Sequence, residues 1–233
     1  MDFCGFNNVI GAQEFIVPNI IHFIRFKTFE LSFVEYVVLL AALRNHKPDK
    51  FYIHTDIPEI QYTGKYWELV RKNSELWSRI QVLHLQVPTE IFGQKLNEKW
   101  RFYHGSDFCR IRILMEYGGI YLDNDSFVIR SLNKYRKFEC VVNWDENQSI
   151  GNQVIIAHKN SRFLQLWLDS YRFYRSDLWY YNGGEKPAEL LKQHPELIHR
   201  VKGNFGADTG ISQRLYKNRQ HRWRQLNAGL PRS

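Results

Sequence analysis

The spacing of apolar residues changes period several times along the chain, and each change marks an element. Residues 15–24 are β-branched and almost continuously apolar, as a strand buried on both faces should be, and Pro18 sets where the strand proper begins. Residues 30–45 carry apolar side chains at 31, 34, 37, 38 and 41, a 3.6-residue period, and His46-Lys47-Pro48 closes that helix with a basic last turn and a proline. A short strand at 50–54, a helix at 64–77 and a strand at 79–87 follow, the last with Val82, Leu83, Leu85 and Val87 as its apolar positions. This order predicts an α/β fold in which parallel strands, joined by right-handed crossovers, form an open sheet covered by helices. In such sheets ligands sit beyond the carboxyl ends of the strands.

That rule directs attention to residues 106–126. Ser106 is a good N-cap, Phe108, Ile111, Leu114 and Met115 form an apolar helical stripe, and Gly118-Gly119 supplies a left-handed stop. Ile120-Tyr121-Leu122 then reads as a short buried strand running straight into Asp123-Asn124-Asp125. Residues two apart on a strand point the same way, about 6.6 Å from one another, so both acids are expected at one site with Asn124 turned away. Two carboxylates at a strand end repel unless a cation or donor is present. A hard divalent ion with open positions suits oxygen ligands plus substrate phosphates.

Composition narrows the class. The 233 residues are 44% hydrophobic and 15% aromatic, enough for one large domain and incompatible with wholesale disorder. Cys4, Cys109 and Cys140 have no CxxC spacing, which removes zinc-finger readings. The formal charge is +8, yet Arg214, Lys217, Arg219, Arg222, Arg224 and Arg232 account for most of it with no acid between them. A nucleic-acid domain would spread its basic residues over a folded face, so no nucleic acid is expected as partner. The longest apolar run, residues 37–43, falls far short of the ~20 residues of a membrane span, so no transmembrane segment is expected in this chain.

Tyr-Gly-Gly-Ile-Tyr-Leu-Asp-Asn-Asp at 117–125, preceded by Ser-Asp-Phe-Cys-Arg at 106–110, resembles the DXD-containing sugar-binding glycosyltransferases. That group includes the yeast-type initiating α-1,6-mannosyltransferase, the α-1,4-glycosyltransferases and, distantly, the clostridial glucosylating toxins. Val-Pro-Asn-Ile-Ile-His-Phe at 17–23 resembles the family's opening strand, with Phe23-Ile24-Arg25 where Gln-Ile-Trp is usual. The resemblance implies a GT-A fold, a nucleotide-sugar donor, Mn²⁺ or Mg²⁺, and retention at the transferred hexose or N-acetylhexosamine. It implies donor-sugar contacts for Asp107 and Arg110, ribose and sugar contacts for Asp123, and metal ligation by Asp125 with Asp123. Tyr121 would line the donor pocket, and His22 and Phe23 would lie near the base, with Phe23 or Tyr121 as stacking platform. Asn152 and Gln153, opening an apolar strand at 151–158, would face the sugar or the acceptor.

The resemblance also implies a single catalytic domain: an N-terminal extension at 1–14, a nucleotide-sugar half at 15–130, an acceptor-side half at 131–213 and a basic tail at 214–233. Within the tail, His221 and Trp223 are candidates for metal or diphosphate contacts, and just before it Gly206 to Gly210 resembles a family turn. A glycan, lipid-linked molecule or protein is the expected acceptor. The compartment would be the Golgi lumen for a eukaryotic protein whose anchor lies elsewhere, and the cytoplasm otherwise. Residues 161–175 read as an amphipathic helix, and Trp179-Tyr180-Tyr181 precedes the loop signal Asn182-Gly183-Gly184, where exposed rings could stack on an acceptor sugar. Three rivals are weighed. A glycoside hydrolase needs carboxylates on opposite sides of the scissile bond, whereas these project from one strand end. A haloacid-dehalogenase phosphatase carries its Asp-x-Asp on the first strand, with Thr or Val where Phe127 stands. The remaining alternative is a catalytically inactive nucleotide-sugar or glycan-binding module.

Overall fold

The computed structural model describes residues 2–205. The turn at 206–210, the basic tail, His221 and Trp223 lie outside the described residues. Strand β1 (Ile20–Arg25) leads to helix α1 (Phe33–Asn45), and β2 (Lys50–Thr55) to helices α2 (Lys65–Lys72) and α3 (Ser74–Trp77). Strand β3 (Ile80–His84) precedes a small hairpin, β4 (Glu90–Ile91) with β5 (Gln94–Lys95). Helix α4 (Arg101–Tyr117) then enters β6 (Gly119–Leu122), and β7 (Cys140–Asn143), β8 (Gly151–Ala157), α5 (Arg162–Ser170), α6 (Lys186–Gln193) and β9 (His199–Val201) complete the described chain.

The strands form a seven-stranded sheet in the order β3-β2-β1-β6-β8-β7-β9. Only β8 runs against its neighbours; every other pairing in this sheet is parallel. The expected mainly parallel open sheet is therefore present. Side-chain alternation sends Ile120 and Leu122 into the layer of α1 and α2 and Tyr121 into that of α4, α5 and α6. Buried Val38, Ala42, Trp67 and Val70 fill the first layer, and Ile111, Leu114, Phe163 and Trp167 the second.

Local chemistry sets the boundaries. Ser32 and Glu35 form a capping box at the start of α1. The helix expected over 64–77 is two helices, because Asn73 is extended and its side chain accepts from the Leu76 N–H, ending one helix and capping the next. Ser106 does not cap α4. The helix starts at Arg101, and Ser106 lies inside it, because His104 and Phe108 carry the buried stripe a turn further back. Past α5, the segment expected to stay helical to 175 tightens into a 3₁₀ turn at Tyr171–Phe173, and the expected loop at 182–184 is a π-helical turn, Tyr181–Glu185. Gly118 and Gly119 have φ of 66° and 116°, the left-handed stop that the sequence predicts.

Candidate active site

The acidic segment leaves the sheet as a turn and not as two more residues of strand. β6 ends at Leu122; the Asp123 N–H makes one further ladder bond to the Gln153 carbonyl at 2.9 Å, and the Ser126 N–H closes a turn on the Asp123 carbonyl, also at 2.9 Å. The alternation expected for Asp123 and Asp125 on a strand therefore does not apply. Asn124 does turn away: its amide donates to the Ile24 carbonyl at 2.8 Å and ties the turn to the end of β1.

Arg110 organises what lies beneath this turn. It is buried, with its guanidinium 4.4 Å from the centre of the Tyr121 ring. Nη2 lies 3.0 Å from Asp107 Oδ1, and Nη1 lies 3.2 Å from Asp123 Oδ1. Nη1 also donates to the Asn152 carbonyl at 2.7 Å and to its Oδ1 at 3.1 Å, and Nη2 to the Ser106 hydroxyl at 3.3 Å. Asn152 returns a hydrogen bond to Asp107 Oδ1 at 2.9 Å and another to the Gly183 carbonyl at 3.1 Å. The Tyr121 hydroxyl donates to Asp123 Oδ1 at 2.8 Å. One cation thus joins α4, the end of β6 and the start of β8. Because β8 is antiparallel, its first residues arrive at the edge where β6 ends.

The electrostatics follow from this packing. Burial works against the Arg110 cation, but Tyr121, Asp123 and Asp107 outweigh it and hold its pKa above the ordinary value. Burial raises the Asp107 carboxyl, with Arg110 opposing and Asp123 adding to the rise. Asp125, at the outer end of the turn and exposed, is raised first by partial desolvation and then by the Asp123 charge. A carboxylate pushed upward by its neighbour is one that a cation would relieve. Asp125 and Asp123 accordingly fit a divalent ion held by one or two carboxylates, with substrate oxygens filling the remaining positions. Among the described residues no group of three or more His, Cys, Asp or Glu could hold a metal.

The structure brings Asp107, Arg110, Tyr121, Asp123, Asn152 and the Asp125 turn to one place. Gln153 adjoins them, its amide donating to the Phe205 carbonyl. His22 and Phe23 are placed differently. β1 continues to Arg25, so His22 is mid-strand, fully buried, with Nδ1 3.0 Å from His54 Nε2 and Nε2 2.8 Å from the Gly118 carbonyl. Both ring nitrogens are satisfied within the core. Phe23 is buried against Phe51, and Tyr121 is buried under Arg110, so neither ring presents an open stacking face. The residue at the end of β1 is Arg25, buried and ion-paired with Glu35; the replacement of the family's usual Trp at this position was its signal in the sequence. Gly183 had none beyond a loop pattern. A Cβ there would approach Asp107 Oδ2 to 2.7 Å, so the π-helical turn packs directly on the acid.

Comparison with known proteins now gives this geometry a family context. Residues 40–142 match the family described as a glycosyltransferase sugar-binding region containing the DXD motif. The resemblance to the DXD glycosyltransferases holds. The matched region takes in Asp107, Arg110, Tyr121 and the DXD turn, whereas Asn152 and Gly183 lie beyond it. Glucan organizing enzyme 1 of Cryptococcus neoformans is 28% identical over 180 residues, 72% of this chain and 46% of that protein. The O-glycosyltransferase PaGT of Phomopsis amygdali is 23% identical over 152 residues, covering 60% and 35% respectively. The chain thus spans less than half the length of these relatives. Among solved structures, the PaToxG glycosyltransferase aligns with a TM-score of 0.51 at 15% identity, over 77% of this chain and 70% of that one. The glycosyltransferase GlyE of Streptococcus pneumoniae aligns with a TM-score of 0.51 at 12% identity, over 86% and 50%. The fold is that of GT-A glycosyltransferases. No helix among the described residues is long and apolar enough to cross a membrane.

Proposed function

We propose that the chain is a divalent-metal-dependent, retaining glycosyltransferase that moves a hexose or N-acetylhexosamine from a UDP-sugar or GDP-mannose to a hydroxyl acceptor. The observation that carries this reading is the Arg110 cluster at the carboxyl edge of the sheet, which holds Asp107 and Asp123 on one guanidinium and leaves Asp125 free at the rim. Asp125 and Asp123 would hold Mn²⁺ or Mg²⁺, which would neutralise charge on the departing diphosphate. In the transfer, the bond from the anomeric carbon to the diphosphate oxygen breaks and the acceptor oxygen forms the new bond. The acceptor's proton leaves with the nucleoside diphosphate.

The chain's own residues supply orientation. Arg110 and Asn152 fix Asp107 with its second oxygen toward Gly183, and Tyr121 fixes Asp123, so the two acids enter the reaction pre-positioned. Asp107, held by buried donors, would accept from a hydroxyl of the transferred sugar. Relatives named a glucan organizing enzyme and an O-glycosyltransferase support a saccharide or hydroxyl acceptor for this chain.

Calorimetric titration with UDP, GDP, UDP-glucose and GDP-mannose, with Mn²⁺ or with EDTA, tests this. Binding should require the metal, and Asp125→Asn should weaken it at least tenfold while leaving the unfolding midpoint unchanged. Equal affinity in EDTA overturns the metal-dependent reading. Metal-dependent binding with neither donor hydrolysis nor transfer identifies an inactive nucleotide-sugar-binding module.

A further inference from the structure

One exposed aromatic corner, built on the Trp179 that the sequence offers as a sugar-stacking ring, adjoins the acids of the site. Trp179 is 47% exposed and Tyr103 59% exposed, and the two rings are contiguous. Trp179 packs against Trp100 with ring centres 4.4 Å apart, and against Tyr103 at 5.0 Å and 70°. The sequence separates these rings by some 75 positions, and their junction is built: His104 Nε2 lies 3.0 Å from the Trp179 carbonyl, and His104 Nδ1 lies 2.6 Å from the Tyr174 hydroxyl. Tyr103, Asp107 and Arg110 stand at i, i+4 and i+7 on α4. The exposed ring, the acid and the cation therefore share one helix face, with Tyr103 about 6 Å along the axis from Asp107.

A second observation points inward from the same corner. Behind the rings, His104, Asp107, Tyr171, Tyr174, Trp179 and Asn182 close on one another with no room for a water molecule between them. Among the described residues, the Tyr171 hydroxyl and the Asn182 Nδ2 amide are buried there without a hydrogen-bond partner. Buried donors left bare are costly and are normally satisfied. A ligand that fits this corner needs C–H faces to lie on aromatic rings, hydroxyl groups that stay in water at its edge, and one nucleophilic oxygen on the side of Asp107. A saccharide has all three.

We propose that Trp179, Trp100 and Tyr103 form the acceptor subsite, stacking a pyranose ring of a glycan acceptor on their exposed faces. The proposal rests on the transferase reading for the direction of transfer, though not for the binding itself. The positively polarised C–H groups of a pyranose meet the negative faces of the indoles. Trp179, packed against both Trp100 and Tyr103, is the principal contact, and Asp107 lies one helical turn inward from Tyr103.

The test uses the full chain without nucleotide or metal, titrated with laminaritetraose, maltotetraose, mannotetraose and chitotetraose and with a Ser/Thr-rich peptide, read by saturation-transfer NMR and calorimetry. At least one tetrasaccharide should bind, Trp179→Ala should weaken it at least tenfold, and Trp179→Phe, which keeps a ring, should stay within threefold of the original. Unchanged saccharide affinity in Trp179→Ala overturns the subsite, as does binding of the peptide alone or of none of the probes. The nucleotide titrations separate the two claims. Nucleotide binding with neither donor hydrolysis nor transfer sinks the transferase reading while leaving a Trp179-dependent saccharide site standing, and saccharide binding indifferent to Trp179 does the reverse.

Discussion

Arg110→Met is the most informative perturbation of the cluster. The variant keeps the length and packing of the side chain over Tyr121 but removes the charge that faces two acids, Asp107 at 14% and Asp123 at 33% side-chain exposure. Removing one partner of a buried ion pair costs about 3 to 5 kcal/mol because the other charge is left behind. Asp123 retains contact with water and keeps its Tyr121 hydrogen bond, so the lower end applies: about 3 kcal/mol, a factor of roughly 150 in the folding equilibrium. The loss should depend on pH. Asp107 already has a folded-state pKa above its ordinary 3.8, and Arg110 is the leading group opposing that rise. Without it, the carboxyl of the folded variant takes up a proton at still higher pH. A raised acid destabilises the fold only above its unfolded pKa, and increasingly as pH climbs. Urea unfolding should therefore show the full deficit at pH 7 and a much smaller one near pH 4.5. Asp107→Asn added to Arg110→Met should recover a large part of the pH 7 loss, because the stranded charge is gone. A deficit of less than about 1 kcal/mol at pH 7, or one equal at both pH values, refutes the account of a shared, desolvated cation.

Two further outcomes follow from the same geometry. Gly183→Ala would place a Cβ 2.7 Å from Asp107 Oδ2, so donor hydrolysis and transfer should fall at least tenfold with the unfolding transition still cooperative; full activity would show that Asp107 is not held against the π-helical turn. Burial lowers His22 and His46 to about 4 and His54 to about 3, so the unfolded chain takes up protons below its ordinary histidine pKa of 6.5 while the native state does not. Stability should drop as pH falls from 6.5 toward 4, by about 1.4 kcal/mol per pH unit for each of the three histidines, as measured by guanidinium midpoints; stability that holds level or rises over that interval would contradict their buried, neutral state.

The sequence makes much of this legible because its strongest signals are local. The apolar run before Asp123, the double glycine and the helical stripe through Ile111 and Leu114 each report on a handful of neighbours, and the structure places them as read. What escaped was decided by distant contacts. Ser106 looks like a cap only until the buried His104, bonded to Tyr174 and the Trp179 carbonyl, draws the helix back to Arg101. His22 has the family's spacing, but its destination depends on His54 in another strand and on the Gly118 carbonyl. The role of Gly183 depends on Asp107, some 76 positions earlier, and no period or propensity encodes that proximity. Strand alternation failed for the two acids for a different reason: a hydrogen bond from Ser126 bends the chain one residue beyond Leu122.

The strand order has a consequence for how the molecule comes together. β7 is flanked by β8 and β9, both of which follow it in the chain, and β8 in turn is the bridge to β6. As the polypeptide emerges, its first four sheet strands can assemble in sequence, whereas β7 must wait undocked until β8, the later segment that bridges it to β6, exists. Asn152, the carbonyl that completes the shell around Arg110, comes with that second wave. Non-local pairings of this kind pay their loop-closure entropy before any reward. The four strands β1, β2, β3 and β6 can therefore take shape during synthesis, and the Arg110 cluster is completed last.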